Sequence, residues 1–81
     1  MTTKTYESIK RLLVERFSID PAIIRPEANL QEDLHLDSMD AIDLLLALND
    51  TFSVRIPEKS LEGIHTLAEL VQAVEANKIR L

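Results

Sequence analysis

The sequence predicts an all-α domain, a small four-helix bundle with a long loop between helices 1 and 2 and a short third helix. Three observations carry this. Apolar residues recur at helical spacing in three stretches, the first being Tyr6, Ile9, Leu13 and Phe17. Helix-starting and helix-stopping residues fall between those stretches, not within them. No strand-like alternation runs for any length, and 81 residues include one glycine and three prolines.

The first helix is expected from Thr3 to Phe17, with Lys10, Arg11 and Arg16 largely opposite its apolar stripe. Asp20 and Pro21 end it and start a short turn through Ile24. Arg25 to Leu36 reads as a long polar loop, pinned to the core by Leu30 and Leu34, and Pro26 cannot donate a backbone bond there. The second helix is expected from Ser38 to Thr51, capped by Asp37 or Ser38. Met39, Ile42, Leu45, Leu46 and Phe52 form its expected apolar stripe. Leu44 and Leu48 widen that stripe, leaving a narrow face to Asp40, Asp43 and Asp50. Val54 to Ile56 is an extended link. Pro57 starts a short helix and Gly63 stops it. Thr66-Leu67-Ala68-Glu69 is a capping box. It opens a last helix built on Leu67, Leu70, Val71 and Val74, which Asn77 and Lys78 fit to end.

Size and composition narrow the function. A chain this short predicts one domain over residues 1–81, with a modest core and no room for a deep enzyme cleft beside it. It has no cysteine, so disulfides and thiolate metal sites are excluded. No apolar run approaches the roughly 20 residues of a membrane span. The start, MTTKTYESIK, lacks a signal-peptide apolar stretch, so a cytoplasmic protein is expected, and separately a monomer. The net charge is −5, unevenly spread. Residues 1–25 hold five Lys/Arg and three acids, residues 26–54 hold seven acids and no Lys/Arg, and residues 55–81 hold four of each. An acidic middle argues against nucleic acid and for partners with basic patches.

The stretch LHLDSMDAIDLLLALNDTF, from Leu34 to Phe52, sets a serine between two acids at the start of a very apolar helix. As a hydrolase nucleophile Ser38 lacks the G-x-S-x-G elbow, and His35 and Asp33 do not make a triad with it. As a metal cluster, Asp33, His35, Asp37, Asp40 and Asp43 lack the glycine of a calcium loop. His35 then reads as an exposed loop residue and His65 as the residue before a cap. No catalytic residue and no metal ligand set is expected. As an attachment point, Ser38 would hold an anion at the positive end of a helix, facing free backbone N–H groups. Taken alone, the same residue pair is no more than an N-cap.

With its surroundings the stretch resembles the D-S-L/M site of acyl carrier proteins. Leu34-His35-Leu36-Asp37-Ser38-Met39, then Asp43-Leu44, match that site. ALNDTFSVRIPE is similar to the family's passage into its third helix, and IHTLAELVQAVE to its last helix. The resemblance covers nearly the whole chain, and the combination of D-S-M with Phe52, Ile56, Pro57 and the later T-x-x-E cap makes it specific.

The resemblance implies that Ser38 carries 4′-phosphopantetheine from coenzyme A, attached by a phosphopantetheinyl transferase using Mg²⁺, with Asp37 assisting that enzyme. Acyl groups would ride as thioesters to partner enzymes of acyl-transfer, ketosynthase and reductase or dehydratase type. Met39, Asp40, Ile42, Asp43, Leu46 and Asp50 would meet those partners. Leu45, Leu46, Ile56, Leu61 and Ile64 would line an acyl cavity. Such a protein is a carrier and not an enzyme.

The sequence departs from the family at several points. Glycine is usual where His35 stands, and a small residue is common where Leu36 stands. Ala41, Asn49 and Arg55 occupy places often polar or acidic in carriers of primary fatty-acid synthesis. These departures point towards a specialised polyketide, polyene or lipid pathway. The Gly-Gly-His-Ser run of peptidyl carriers is absent. A D-alanyl carrier is closer around LDSMDAIDLLLAL, but RIPE points back to acyl carriers. The alternative of another class is a cofactor-free helical interaction module, and modification of Ser38 separates the two.

Overall fold

Three α-helices form where the apolar periodicity predicts them: α1 over Thr3–Phe17, α2 over Ser38–Phe52 and α3 over Leu67–Asn77. The computed structural model describes residues 3–77, so Lys78 lies outside the described residues. Two 3-10 helices, Pro21–Ile23 and Glu58–Gly63, lie in the connections. The second is the expected short third helix. With six residues and Leu61 as its one large apolar side chain, it offers little burial to support an α-helical nucleus, and it winds as the tighter form. Among the described residues the only β-type pairing is an isolated bridge between Asn29 and Thr66.

α1 buries Ile9 and Leu13 completely, while Tyr6 and Phe17 of the expected stripe are half-buried. Thr5 is also buried, and its hydroxyl donates to the Glu75 carboxylate, which ties α1 to α3. The helix ends at Ser18, held in the left-handed region at φ 56, and the Ile19 N–H reaches back to the Leu13 carbonyl at 3.2 Å.

The long loop is pinned more thoroughly than its sequence suggests. Besides Leu30 and Leu34, the side chains of Ile24, Ala28 and Leu36 are buried. Its backbone meets the start of α3, whose first N–H groups have no partner within the helix. Leu67 donates to the Ala28 carbonyl at 3.0 Å and Ala68 to that of Pro26 at 2.8 Å. The capping box supplies the rest. Glu69 N–H donates to Thr66 Oγ1 at 3.2 Å, and Glu69 Oε1 accepts from Thr66 N–H at 2.9 Å and from His65 N–H at 2.7 Å. Those backbone bonds hold the Glu69 carboxyl below its ordinary range.

The buried face of α2 differs from the expected stripe. Leu44, Leu45 and Leu48 are buried, whereas Met39 is 79% and Leu46 57% exposed. At about 100° per residue, Leu44, Leu45 and Leu48 lie opposite Asp43 and Asp50. In a helix apolar on most sides the leucines do not choose the face. The acids do, because they must stay in water. α2 closes at Ser53 with φ 54, and Val54 N–H donates to the Asn49 carbonyl at 3.1 Å. The extended link that follows is held from the side. Asn49 Nδ2 donates to the Ile56 carbonyl and Asn49 Oδ1 accepts from Ile56 N–H, both at 3.1 Å.

Candidate attachment site at the start of the second helix

Ser38 is the first residue of α2 and is exposed. Asp37, with extended backbone, is the N-cap, and its Oδ1 accepts from Asp40 N–H at 2.8 Å. The return bond, Asp37 N–H to Asp40 Oδ2, is long at 3.5 Å. Ala41 N–H bonds the Asp37 carbonyl at 2.9 Å. Capping by Asp37 leaves the Ser38 hydroxyl free of that task. It also leaves the N–H groups of Ser38 and Met39 at the positive helix end, where a phosphate ester on Ser38 would find donors. The local residues therefore fit a phosphorylated group on this hydroxyl.

A cleft of about 450 Å³ opens beside Ser38. Leu30, Leu36, Ala41, Ile42, Leu61 and Ile64 give it apolar walls. Asn29, Gln31, Glu58, Glu62 and His65 supply polar lining. It lies between the loop, α2 and the Glu58–Gly63 helix, and a chain attached at Ser38 could fold into it. Of the five residues expected to line an acyl cavity, Leu61 and Ile64 line this cleft. Leu45 and Ile56 are in the closed core and form no part of this wall. Leu46 is a correction, because its side chain is 57% exposed and is not part of the lining of this cleft.

The residues expected to face partners are brought together. Met39, Ile42, Asp43, Leu46 and Asp50 fall within roughly 100° of the α2 surface, since each residue advances by about 100°. Met39, Leu46 and Asp50 are exposed and Asp43 is half-buried. Ile42 is half-buried and also touches the cleft. Asp40, in its capping box, sits at the edge of a second, shallower groove with Arg16, Phe17, Ile23 and His35.

That groove contains what sequence reasoning missed. Arg16 crosses from α1 to Asp43, with Nη2 at 2.9 Å from Oδ1 and Nε at 3.3 Å from Oδ2. The cation lies 27 positions away in sequence, and no local pattern announces it. Its hydrogen bonds hold the Asp43 carboxyl below the usual range.

His35 is exposed and has φ 59, a conformation that costs a residue with a Cβ about 1–2 kcal/mol and glycine nothing. A glycine would take this conformation without that cost. Leu36 is buried and forms a wall shared by both grooves. The acids around Ser38 are occupied internally. Asp33 accepts from Asn29 N–H at 2.7 Å, Asp37 caps α2 and Asp43 pairs with Arg16. Among the described residues no three His, Asp or Glu side chains are placed to hold a metal ion, and no helix is long and apolar enough to cross a membrane.

Comparison with known proteins bears on the same region. Residues 7–74 match the family described as "Phosphopantetheine attachment site". A protein of Helicobacter hepaticus named acyl carrier protein is 42% identical over 74 residues, which is 91% of this chain and 97% of that one. One of the same name from Wolinella succinogenes is 34% identical over 73 residues, 90% of this chain and 96% of that one. The crystal structure of an acyl carrier protein from Thermotoga maritima superposes with a TM-score of 0.81. It is 26% identical and covers 91% of this chain and 86% of its own.

Proposed function

The chain belongs to the acyl carrier protein family, and from that premise we propose that Ser38 is the residue on which it bears 4′-phosphopantetheine. The protein is a carrier, not an enzyme. The observation that carries the assignment to Ser38 is that Asp37 caps α2, so an exposed hydroxyl stands unencumbered at the helix start. Bound there, the arm supplies a thiol that holds acyl groups as thioesters.

The chain's own residues do the rest. Ser38 and Met39 N–H groups, with the helix end, stabilise the ester phosphate. Leu36, Ile42, Leu61 and Ile64 shelter an apolar chain, at about 0.8 kcal/mol per buried CH₂. Met39, Leu46 and Asp50, with Asp40, Ile42 and Asp43, form the face that partner enzymes and the phosphopantetheinyl transferase engage. Weak, fast binding suits such a face, because a carrier must leave each partner again. We read residues 1–81 as one carrier domain acting in the cytoplasm as a monomer. The pathway we favour is a specialised polyketide, polyene or lipid route over primary fatty-acid synthesis. The places of Ala41, Asn49 and Arg55, often polar or acidic in carriers of primary fatty-acid synthesis, support this reading.

The test is the intact mass of the chain before and after incubation with coenzyme A, Mg²⁺ and a broad-specificity phosphopantetheinyl transferase. One added phosphopantetheine on the native chain and none on Ser38→Ala is the expected result. Addition to Ser38→Ala, or none to a folded and initially unmodified native chain, would refute the assignment.

A further inference from the structure

Among the described residues, Arg16 is the one cation paired with an acid of α2. The charged residues of α2 itself are Asp40, Asp43 and Asp50. The pairing of Arg16 with Asp43 is two-pronged, and both side chains stay about half exposed, at 50% and 47%. A planar guanidinium fork holds a carboxylate in one orientation, which a single ammonium does not do. Asp43 lies along the edge of the stripe, between Met39 and Leu46 in the length of α2. Any basic side chain reaching for it must share it with Arg16 or displace Arg16.

We propose that Arg16 is a specificity-determining residue of the docking face, an internal counter-ion that withdraws Asp43 from recognition. The surface then fits a protein partner that seats Met39 and Leu46 in an apolar pocket and carries a small basic rim for Asp40 and Asp50. It disfavours partners that depend on a continuous row of carboxylates. An exposed pair is weak, so releasing Asp43 changes partner affinity by up to about fivefold. Dilute salt exposes this effect and high salt screens it.

The inference rests on the carrier reading, and its test separates the two. The full chain is loaded by a broad-specificity phosphopantetheinyl transferase with coenzyme A and Mg²⁺, and KM and kcat for the carrier are measured. Native protein, Arg16→Gln and Arg16→Lys are compared at low and high salt, each checked for folding by circular dichroism. Arg16→Gln is expected to lower KM about two- to fivefold at low salt, with kcat unchanged and the gain lost at high salt. Arg16→Lys keeps the charge but loses the fork, and it is expected to give a smaller gain in the same direction. A KM unmoved in both variants would overturn the proposal. So would a gain confined to Arg16→Gln, which would make Arg16 a simple repelling charge. If Arg16→Gln fails to fold, Arg16→Lys alone decides. Absence of loading in every variant, native included, would instead refute attachment at Ser38.

Discussion

Removing the Asn49 amide should weaken both the fold and the wall of the cleft. Asn49 makes two bonds of 3.1 Å to the backbone of Ile56, one from each side of its amide. Ile56 is 3% exposed, so Asn49→Ala leaves an N–H and a carbonyl poorly placed to find water. Each net hydrogen bond contributes about 0.5–1.5 kcal/mol, which puts the loss at about 1–3 kcal/mol. In a domain of this size that lowers the melting temperature by roughly 4–8 °C per kcal/mol. Urea unfolding followed by helical circular dichroism measures it. Asn49→Asp keeps the acceptor for Ile56 N–H and loses the donor to its carbonyl, so it should fall between native and Asn49→Ala. A loss below about 0.5 kcal/mol in Asn49→Ala would refute the reasoning, since the Ile56 groups would then be satisfied without Asn49. The link from Val54 to Pro57 also places the helix that carries Leu61. Loosening it should therefore raise hydrogen exchange in Glu58–Gly63 more than in α1.

Other outcomes follow from the same geometry. Leu48→Ala should cost about 2–5 kcal/mol and Leu46→Ala less than about 0.5, because the first side chain is buried and the second is not; denaturation midpoints that rank them otherwise would reverse the assigned faces of α2. Ser53→Gly relieves a left-handed residue at the end of α2 and should stabilise by up to about 1 kcal/mol, the gain being limited by the extra freedom of glycine in the unfolded chain. The folded Glu69 carboxyl lies below its ordinary 4.5. Its contribution is therefore complete above that value and is lost as pH falls through the lowered one. Stability measured against pH should fall less steeply in acid for Glu69→Gln than for the native chain, and equal slopes would contradict this.

Much of the fold is legible in the sequence because its signals are local. The Thr66–Glu69 box, Pro57, Gly63 and the spacing of Ile9 and Leu13 act within a few residues of where they stand, and the helices begin and end there. The face of α2 was harder to read. A run such as Leu44-Leu45-Leu46 carries no phase of its own, and the positions opposite Asp43 and Asp50 were the usable guide. The docking of the loop on α3 was less legible still. It depends on the carbonyls of Pro26 and Ala28, which no side-chain pattern reports. The Arg16–Asp43 pair is invisible for the same reason, since it exists only once the fold brings the end of α1 to α2. At the proposed site, Ser38 stands out in the sequence by type and neighbours. Which residue does the capping required the structure.

The exposure of Met39 and Leu46 is the feature that stability cannot explain. Burying a leucine or methionine side chain yields about 1.5–3 kcal/mol, and a domain this small has little to spare. Yet the core takes Leu44, Leu45 and Leu48 and leaves Leu46, which stands amid them in sequence, in water. Rotating α2 to bury Leu46 would carry Asp43 and Asp50 inward, so the acids hold the helix in its present orientation. They also keep the apolar face soluble by flanking it with charge. The same rotation fixes where Ser38 emerges, at the edge of the cleft and at one end of the exposed stripe. The proposed attachment point, shelter and docking face are therefore consequences of one choice, the angle of α2 about its own axis. A substitution that shifts that angle should disturb all three together.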